Sequence, residues 1–188
     1  MVKTLESIQN IYKLSDVAIE SLKSEVKLKS LKKGNLLFSP QSRHLYISFI
    51  EKGLIRAYAF NEGKEITFWF GLEGDIVFPY RTYLKHEISY ETAELLEDCI
   101  LYQIPLLRFQ ELFLQNIEWA TWGRKFAENQ MVDLEQKFIA YQFKSASQRH
   151  EELLISKPEL FNRIQLQYLA SYLGMSQVSL SRIRAGIQ

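Results

Sequence analysis

The chain has 188 residues, 47% of them apolar, and a formal net charge of +1. That length accommodates one large domain or two modest ones, with enough apolar material for a sizeable core. No run approaches the ~20 consecutive apolar residues that span a bilayer. The opening MVKTLESIQNIYKLSD breaks its apolar positions with charges where a secretion signal would be continuous. A soluble cytoplasmic protein without a membrane partner is expected. Cys99 is the one cysteine, which excludes an intrachain disulfide and a cysteine-ligated cluster built from one chain. His44, His86 and His150 are scattered, without metal-ligand spacing. No metal or other cofactor is expected, and the same scatter argues against a barrel enzyme that gathers histidine and carboxylate ligands.

In chain order, Leu5 to Leu28 reads as a helical lead-in. Ser15 is placed as an N-cap, and Ile19, Leu22 and Val26 follow at spacings of three and four. Lys32-Lys33-Gly34-Asn35 marks a turn and a change of period. From Leu36 to about Pro105 the pattern is that of strands: Leu36 to Phe38, His44 to Ile50, Gly53 to Phe60, Glu65 to Phe70 and Asp98 to Ile104 are short and rich in β-branched and aromatic residues. Asn61-Glu62-Gly63-Lys64 reads as a four-residue hairpin loop with Gly63 in the left-handed position. Many short strands with short turns predict an antiparallel sandwich or barrel. Gly71 to Tyr90 interrupts the alternation, where a pocket-forming loop and short helix would lie.

Helical period returns at Pro105. Leu106, Phe109, Leu112 and Phe113 form a short amphipathic element, and a longer one runs from about Ile117 to Tyr141. Along it Ala120, Ala127, Met131, Leu134, Phe138 and Tyr141 make a stripe. Gly123 and Ala127 form a small-residue patch where another backbone can approach, and Trp119, Trp122 and Phe126 widen the apolar surface. Two apolar faces point to two partners, the chain's own β domain and the same helix of a second subunit; the alternative is an internal helix of a monomer. Lys144 to Ser147 is a polar break and the expected hinge. A helix from Ser147 to Ser156 then leads past Pro158 to the terminal stretch.

That stretch, Leu166 to Ile187, fits two short helices joined at Gly174-Met175-Ser176. Leu169, Ala170 and Leu173 share one face, Gly174 can take a positive φ, and Ser176 is a good N-cap. Leu180 and Ile183 point inward, leaving Gln177, Val178, Ser179, Ser181, Arg182 and Arg184 outward. Arg and Gln pair with base edges, and Ser and Arg with phosphate oxygens. Two helices of an ordinary helical core would share the spacing, but charge favours DNA. From Lys144 onward six basic residues stand against three acidic, a net +3; the rest has 17 against 19, a net −2. Positive charge gathered at one end is an electrostatic footprint for a polyanion.

This order of parts resembles the cyclic AMP receptor/fumarate-nitrate regulator (Crp/Fnr) superfamily of bacterial transcription factors. The local matches are Glu51 to Tyr58 with Gly63 to Thr67, and Tyr168 to Arg184. The resemblance implies an α+β architecture. An N-terminal antiparallel β-roll of cyclic-nucleotide-binding type (a double-stranded β-helix, residues 1–115) is followed by a long dimerisation helix (116–143) and a winged-helix-like helix-turn-helix domain (144–188). It implies a homodimer on a near-palindromic operator in double-stranded DNA, and RNA polymerase as a candidate further partner. Ser176, Gln177, Val178, Ser179, Ser181, Arg182 and Arg184 are the expected DNA-binding set, with Gln177, Val178 and Arg182 at the base-reading positions. Val178 stands where many members have an acidic residue, which points to an uncommon operator. The sequence ends soon after the recognition helix without the β wing of some members.

The sensor half departs from the family. Cyclic-nucleotide binders carry an apolar residue, Gly and Glu, then about ten residues on Arg, Ser or Thr, and Ala. The corresponding positions here read Val77-Phe78-Pro79 and Ser89-Tyr90-Glu91. A buried phosphate without its charge partner is costly, and Glu91 would repel it, so tight cyclic AMP binding is not expected. Arg81 is the nearby substitute by which an atypical cassette would bind a cyclic nucleotide. Phe78, Tyr80, Tyr83 and Tyr90, with Ser89 and with Trp119 or Trp122, either line a pocket for a flatter, less charged effector of unknown identity or fill the core. The expected dimer face is Ala120, Gly123, Ala127, Met131, Leu134 and Phe138.

Overall fold

The computed structural model describes residues 1–40 and 44–186; Ile187, the last residue of the terminal stretch, lies outside them. The lead-in is two helices rather than one, α1 (Val2–Ile11) and α2 (Asp16–Glu25). Between them the Gln9 side chain accepts the Leu14 N–H at 2.9 Å and donates to the Leu14 carbonyl at 3.1 Å, satisfying both backbone groups of the turn. Ser15 is the N-cap of α2, its hydroxyl accepting the Ala18 N–H. Helix ends at Val26, and residues Lys27–Leu31 form strand β1, correcting the helical reading that ran to Leu28.

The strands that follow are β2 (Leu36–Phe38), β3 (Tyr46–Lys52), β4 (Ile55–Asn61), β5 (Lys64–Gly71), β6 (Ile76–Val77), β7 (Thr92–Leu95) and β8 (Cys99–Pro105), with α3 (Tyr80–Lys85) between β6 and β7. They form two four-stranded sheets, ordered β1-β8-β3-β6 and β2-β7-β4-β5. β1 pairs antiparallel with β8 from Lys27 opposite Gln103 to Leu31 opposite Cys99. The β4–β5 turn is tighter than the expected four-residue loop. Glu62 at φ 50° and Gly63 at φ 77° are both left-handed, as a two-residue turn matched to strand twist requires.

Helices α4 (Leu106–Gln115) and α5 (Ile117–Phe143) follow, then α6 (Ala146–Ser156), α7 (Leu160–Arg163), α8 (Leu166–Leu173) and α9 (Gln177–Arg184). Ser145 and Gln148 close a reciprocal capping box at the start of α6, one residue before the expected start at Ser147.

The chain forms two compact units, Met1–Ala57 with Phe70–Gln130, and Tyr58–Trp69 with Met131–Gln188. These differ from divisions at 115/116 and 143/144. The first half of α5 belongs to the first unit and the second half to the other, together with the tip of the β4–β5 hairpin. In the first unit Ile8, Leu22, Phe49, Ile104, Phe109, Trp119 and Trp122 make the core. Burying such side chains contributes about 1.5–3 kcal/mol each. The indole N–H groups are paired inside it: Trp119 Nε1 donates to the Ala18 carbonyl and Trp122 Nε1 to the Ile8 carbonyl, each at 2.9 Å. In the second unit Leu160, Leu169, Ala170, Leu173 and Leu180 are buried. Among the described residues no helix is long and apolar enough to cross a membrane.

Candidate nucleic-acid interface

The site is built on the turn between α8 and α9. α8 closes at Gly174, whose φ of 67° is left-handed; the Met175 N–H returns to the Ala170 carbonyl at 3.0 Å. The carbonyls α8 leaves open are taken by side chains from outside the pair. Arg149 donates from Nη2 to the Leu173 carbonyl at 2.9 Å and from Nη1 to the Lys144 carbonyl at 2.7 Å. The Tyr141 hydroxyl donates to the Tyr172 carbonyl, and the Arg149 guanidinium lies 4.9 Å from the centre of the Tyr141 ring. A Cβ on residue 174 would come within 3.2 Å of Tyr141 Cε1. Burial, then the neighbouring Tyr141, pushes the Tyr172 phenol up to about 12.

Ser176 caps α9 by accepting the Ser179 N–H at 3.0 Å, and the two hydroxyls lie 2.8 Å apart. Leu180 is fully buried beneath α9 and Ile183 partly so. Ser176, Gln177, Val178, Ser179, Ser181, Arg182 and Arg184 are all exposed. α9 has no acidic residue in its first turn and carries Arg182 and Arg184 in its last. It therefore offers two guanidiniums, an amide and the hydroxyls of Ser179 and Ser181 on a solvent-facing surface without carboxylates. Behind it, burial and then the charge of Arg184 push the His150 imidazole below its ordinary range.

The expected effector residues do not converge in the same way. Trp119 and Trp122 are fully buried with their N–H groups paired, so they are core and not pocket lining. Phe78 and Tyr83 are partly buried against that core, with ring centres 4.8 Å apart. Tyr80 is exposed, its hydroxyl 3.4 Å from Gln130 Oε1. Arg81 is ion-paired with Glu87 and lies 5.7 Å from the centre of the exposed Tyr90 ring. Ser89 is buried and accepts the Glu91 N–H at 3.4 Å. Burial holds the Glu91 carboxyl above its ordinary range, with the Ser89 hydrogen bond opposing. A hollow of about 680 Å³ lies elsewhere, lined by Val2, Leu5, Glu6, Gln9, Asn10 and Lys13. It follows the solvent face of α1 and includes none of the expected effector residues.

Along α5, Met131, Leu134 and Phe138 are 71%, 68% and 63% exposed; Ala127 is exposed and Ala120 half-buried. Gly123 is corrected as a contact for a second backbone. A Cβ there would stand 2.9 Å from the Phe113 ring, so the space is filled by α4 of the same chain. Among the described residues no group of three His, Cys, Asp or Glu is placed to hold a metal ion. The sequence reading missed Tyr141 as a partner of α8, Arg149 as a cap and Ser171 as a bridge to β5. Each bonds to backbone, and backbone leaves no side-chain pattern to read.

Two antiparallel sheets with a short helix between β6 and β7, a long helix and a terminal helix-turn-helix define the class: the fold of the Crp/Fnr transcription regulators. Residues 28–116 match the family model of the cyclic nucleotide-binding domain. Among solved structures, a protein described as a transcriptional regulator of the Crp/Fnr family from Eubacterium rectale is 16% identical over 94% of this chain and 87% of its own, with a TM-score of 0.71. FixK2 from Bradyrhizobium japonicum is 16% identical over 86% of this chain and 83% of its own, TM-score 0.71. The c-di-GMP responsive global regulator CLP of Xanthomonas campestris is 16% identical over 92% and 91%, TM-score 0.70. Identity this low speaks for the fold alone. No curated protein matches the sequence.

Proposed function

We propose that the chain is a homodimeric, sequence-specific regulator of transcription that acts in the cytoplasm on a near-palindromic site in duplex DNA. The observation that carries this reading is the outward face of α9, where Gln177, Val178, Ser181, Arg182 and Arg184 are exposed over a buried Leu180. A recognition helix presents its N-terminal residues to base edges while flanking cations bind phosphates. Gln177 suits adenine, Arg182 guanine and Val178 a thymine methyl. The exposed apolar side chains of Met131, Leu134 and Phe138 are the face that a second copy of α5 would cover. The spacing of the two recognition helices then decides whether both reach successive major grooves, roughly 34 Å apart. RNA polymerase is the further partner of such a regulator.

The sensor domain in this reading does not hold cyclic AMP tightly. Arg81, the one substitute for the missing cassette arginine, is engaged by Glu87, and Glu91 brings a half-buried carboxyl where a phosphate would sit. The match of residues 28–116 to the cyclic nucleotide-binding domain favours a second reading, a receptor with an atypical cassette. The test of DNA recognition is Arg182→Ala on an operator selected with the wild-type protein. It should lose about 1–3 kcal/mol of binding and relax one base pair in each half-site; unchanged affinity and selectivity would remove Arg182 as a reader.

A further inference from the structure

β5 is the outer strand of its sheet. An outer strand presents unpaired N–H and C=O groups that must be covered or left to water. At Glu65 and Thr67 a hydroxyl from outside the sheet takes both groups. Ser171 Oγ donates to the Glu65 carbonyl at 3.0 Å and accepts the Thr67 N–H at 2.9 Å. Bonding to a carbonyl and to the N–H two residues on is what one residue of a parallel neighbouring strand would do, so Ser171 stands in for a strand. It lies in α8, three residues before Gly174, beside Tyr172 and Leu173, whose carbonyls are held by Tyr141 and Arg149. α8 is thus gripped at three consecutive residues, one by the hairpin and two by side chains of α5 and α6.

We propose that Ser171 is a positioning residue that latches α8 to the outer edge of β5, so that the hairpin tip and the recognition helix move as one body. The proposal rests on the reading of α9 as the DNA-contacting helix. Tyr58–Trp69 falls in the same compact unit as Met131–Gln188, as such a latch requires. α9 reaches DNA already oriented, which spares the ordering cost that a loosely held helix would incur on binding. The hairpin, rather than α5 alone, sets the direction in which α9 faces.

The test compares Ser171→Ala and Ser171→Thr with the wild-type full chain by amide hydrogen exchange at Thr67 and by affinity for the selected operator. Loss of a hydrogen bond of ordinary net strength should speed Thr67 exchange about fivefold and weaken operator binding by a similar factor. The melting temperature should fall by only a few degrees, and Ser171→Thr, which keeps the hydroxyl, should restore both readouts. Unchanged Thr67 exchange in Ser171→Ala overturns the latch whether or not the protein binds DNA. Faster exchange with unchanged operator affinity overturns the positioning role. Failure of the wild-type protein to select any DNA would instead remove the DNA-binding reading, and with it the positioning role, while the exchange measurement still decides the latch.

Discussion

The hydroxyl of Tyr141, two residues from the end of α5, donates a hydrogen bond to the carbonyl of Tyr172, next to last in α8. Together with Arg149 on the Leu173 carbonyl, it satisfies the open end of α8 at the turn that presents α9. The stretch Lys144 to Ser147, read from sequence as a hinge, is therefore bridged on its own side of the chain.

Removing the Tyr141 hydroxyl with Tyr141→Phe should cost about 0.5–1.5 kcal/mol, and Arg149→Ala, which breaks bonds from a charged group, about 1.5–3 kcal/mol. Urea unfolding followed through the helix signal of the second unit measures both. The double variant should fall short of the sum, because the guanidinium stacks on the same ring. Arg149→Lys should not rescue, since an ammonium lacks the planar fork that reaches two carbonyls.

Stability should depend on pH through His44. This imidazole is buried beside Phe38, and desolvation lowers its pKa to about 4, with a backbone hydrogen bond at Tyr46 opposing. Its Nε2 has no hydrogen-bond partner among the described residues. Folding holds the ring neutral, whereas the unfolded chain protonates it near pH 6.5. The contribution is therefore complete above about pH 6.5 and lost as pH falls toward 4, by up to about 3 kcal/mol. Unfolding curves of wild type and His44→Leu should diverge across that window and run parallel above it. Parallel curves throughout would show that His44 titrates normally.

Dimerisation should depend on the exposed half of α5. Leu134→Glu or Phe138→Glu places a carboxylate where an apolar side chain would meet its counterpart, and sedimentation should show a dimer becoming a monomer without loss of helix. Ala120 and Gly123 belong to the first unit, where Phe113 already fills the space above Gly123. Gly123→Ala should lower stability through that clash and leave the oligomeric state unchanged.

Calorimetry with cyclic AMP, cyclic GMP and c-di-GMP should show no micromolar binding. The guanidinium that a cyclic phosphate needs is held by Glu87, and a half-buried Glu91 would have to be neutralised first. Glu87→Gln frees Arg81 without removing Glu91, and should leave binding weak. Micromolar heats with the wild-type protein would establish the atypical-cassette reading.

Much of this architecture could be read from residue patterns, for reasons visible in individual elements. β3, β4, β5 and β8 are rich in Ile, Phe, Tyr and Trp, so their pattern names them. β1 reads KLKSL and is mostly exposed; with Leu28 and Leu31 three residues apart and a helix immediately before it, its sequence continues the helical period. β7, Thr92–Leu95, and the two-residue β6 exist through pairing rather than propensity. On α9 the outward set was legible because one buried residue, Leu180, fixes the face. The effector set was not, because aromatic residues at loop spacing look alike whether they line a cavity or close a core. Trp119 and Trp122 are settled by their paired N–H groups, which only the fold brings to Ala18 and Ile8. Ser171 gave no signal either, since an edge strand 104 residues away in sequence supplies its partner.

The most direct measurement is selection of duplexes from a random pool by the purified full-length protein, followed by sequencing. The account predicts enrichment of one near-palindromic motif whose half-sites are centred about one helical turn apart, with affinity falling steeply as salt rises. Recovery of a pool no different from the input, under salt conditions where the protein is folded and dimeric, would contradict it.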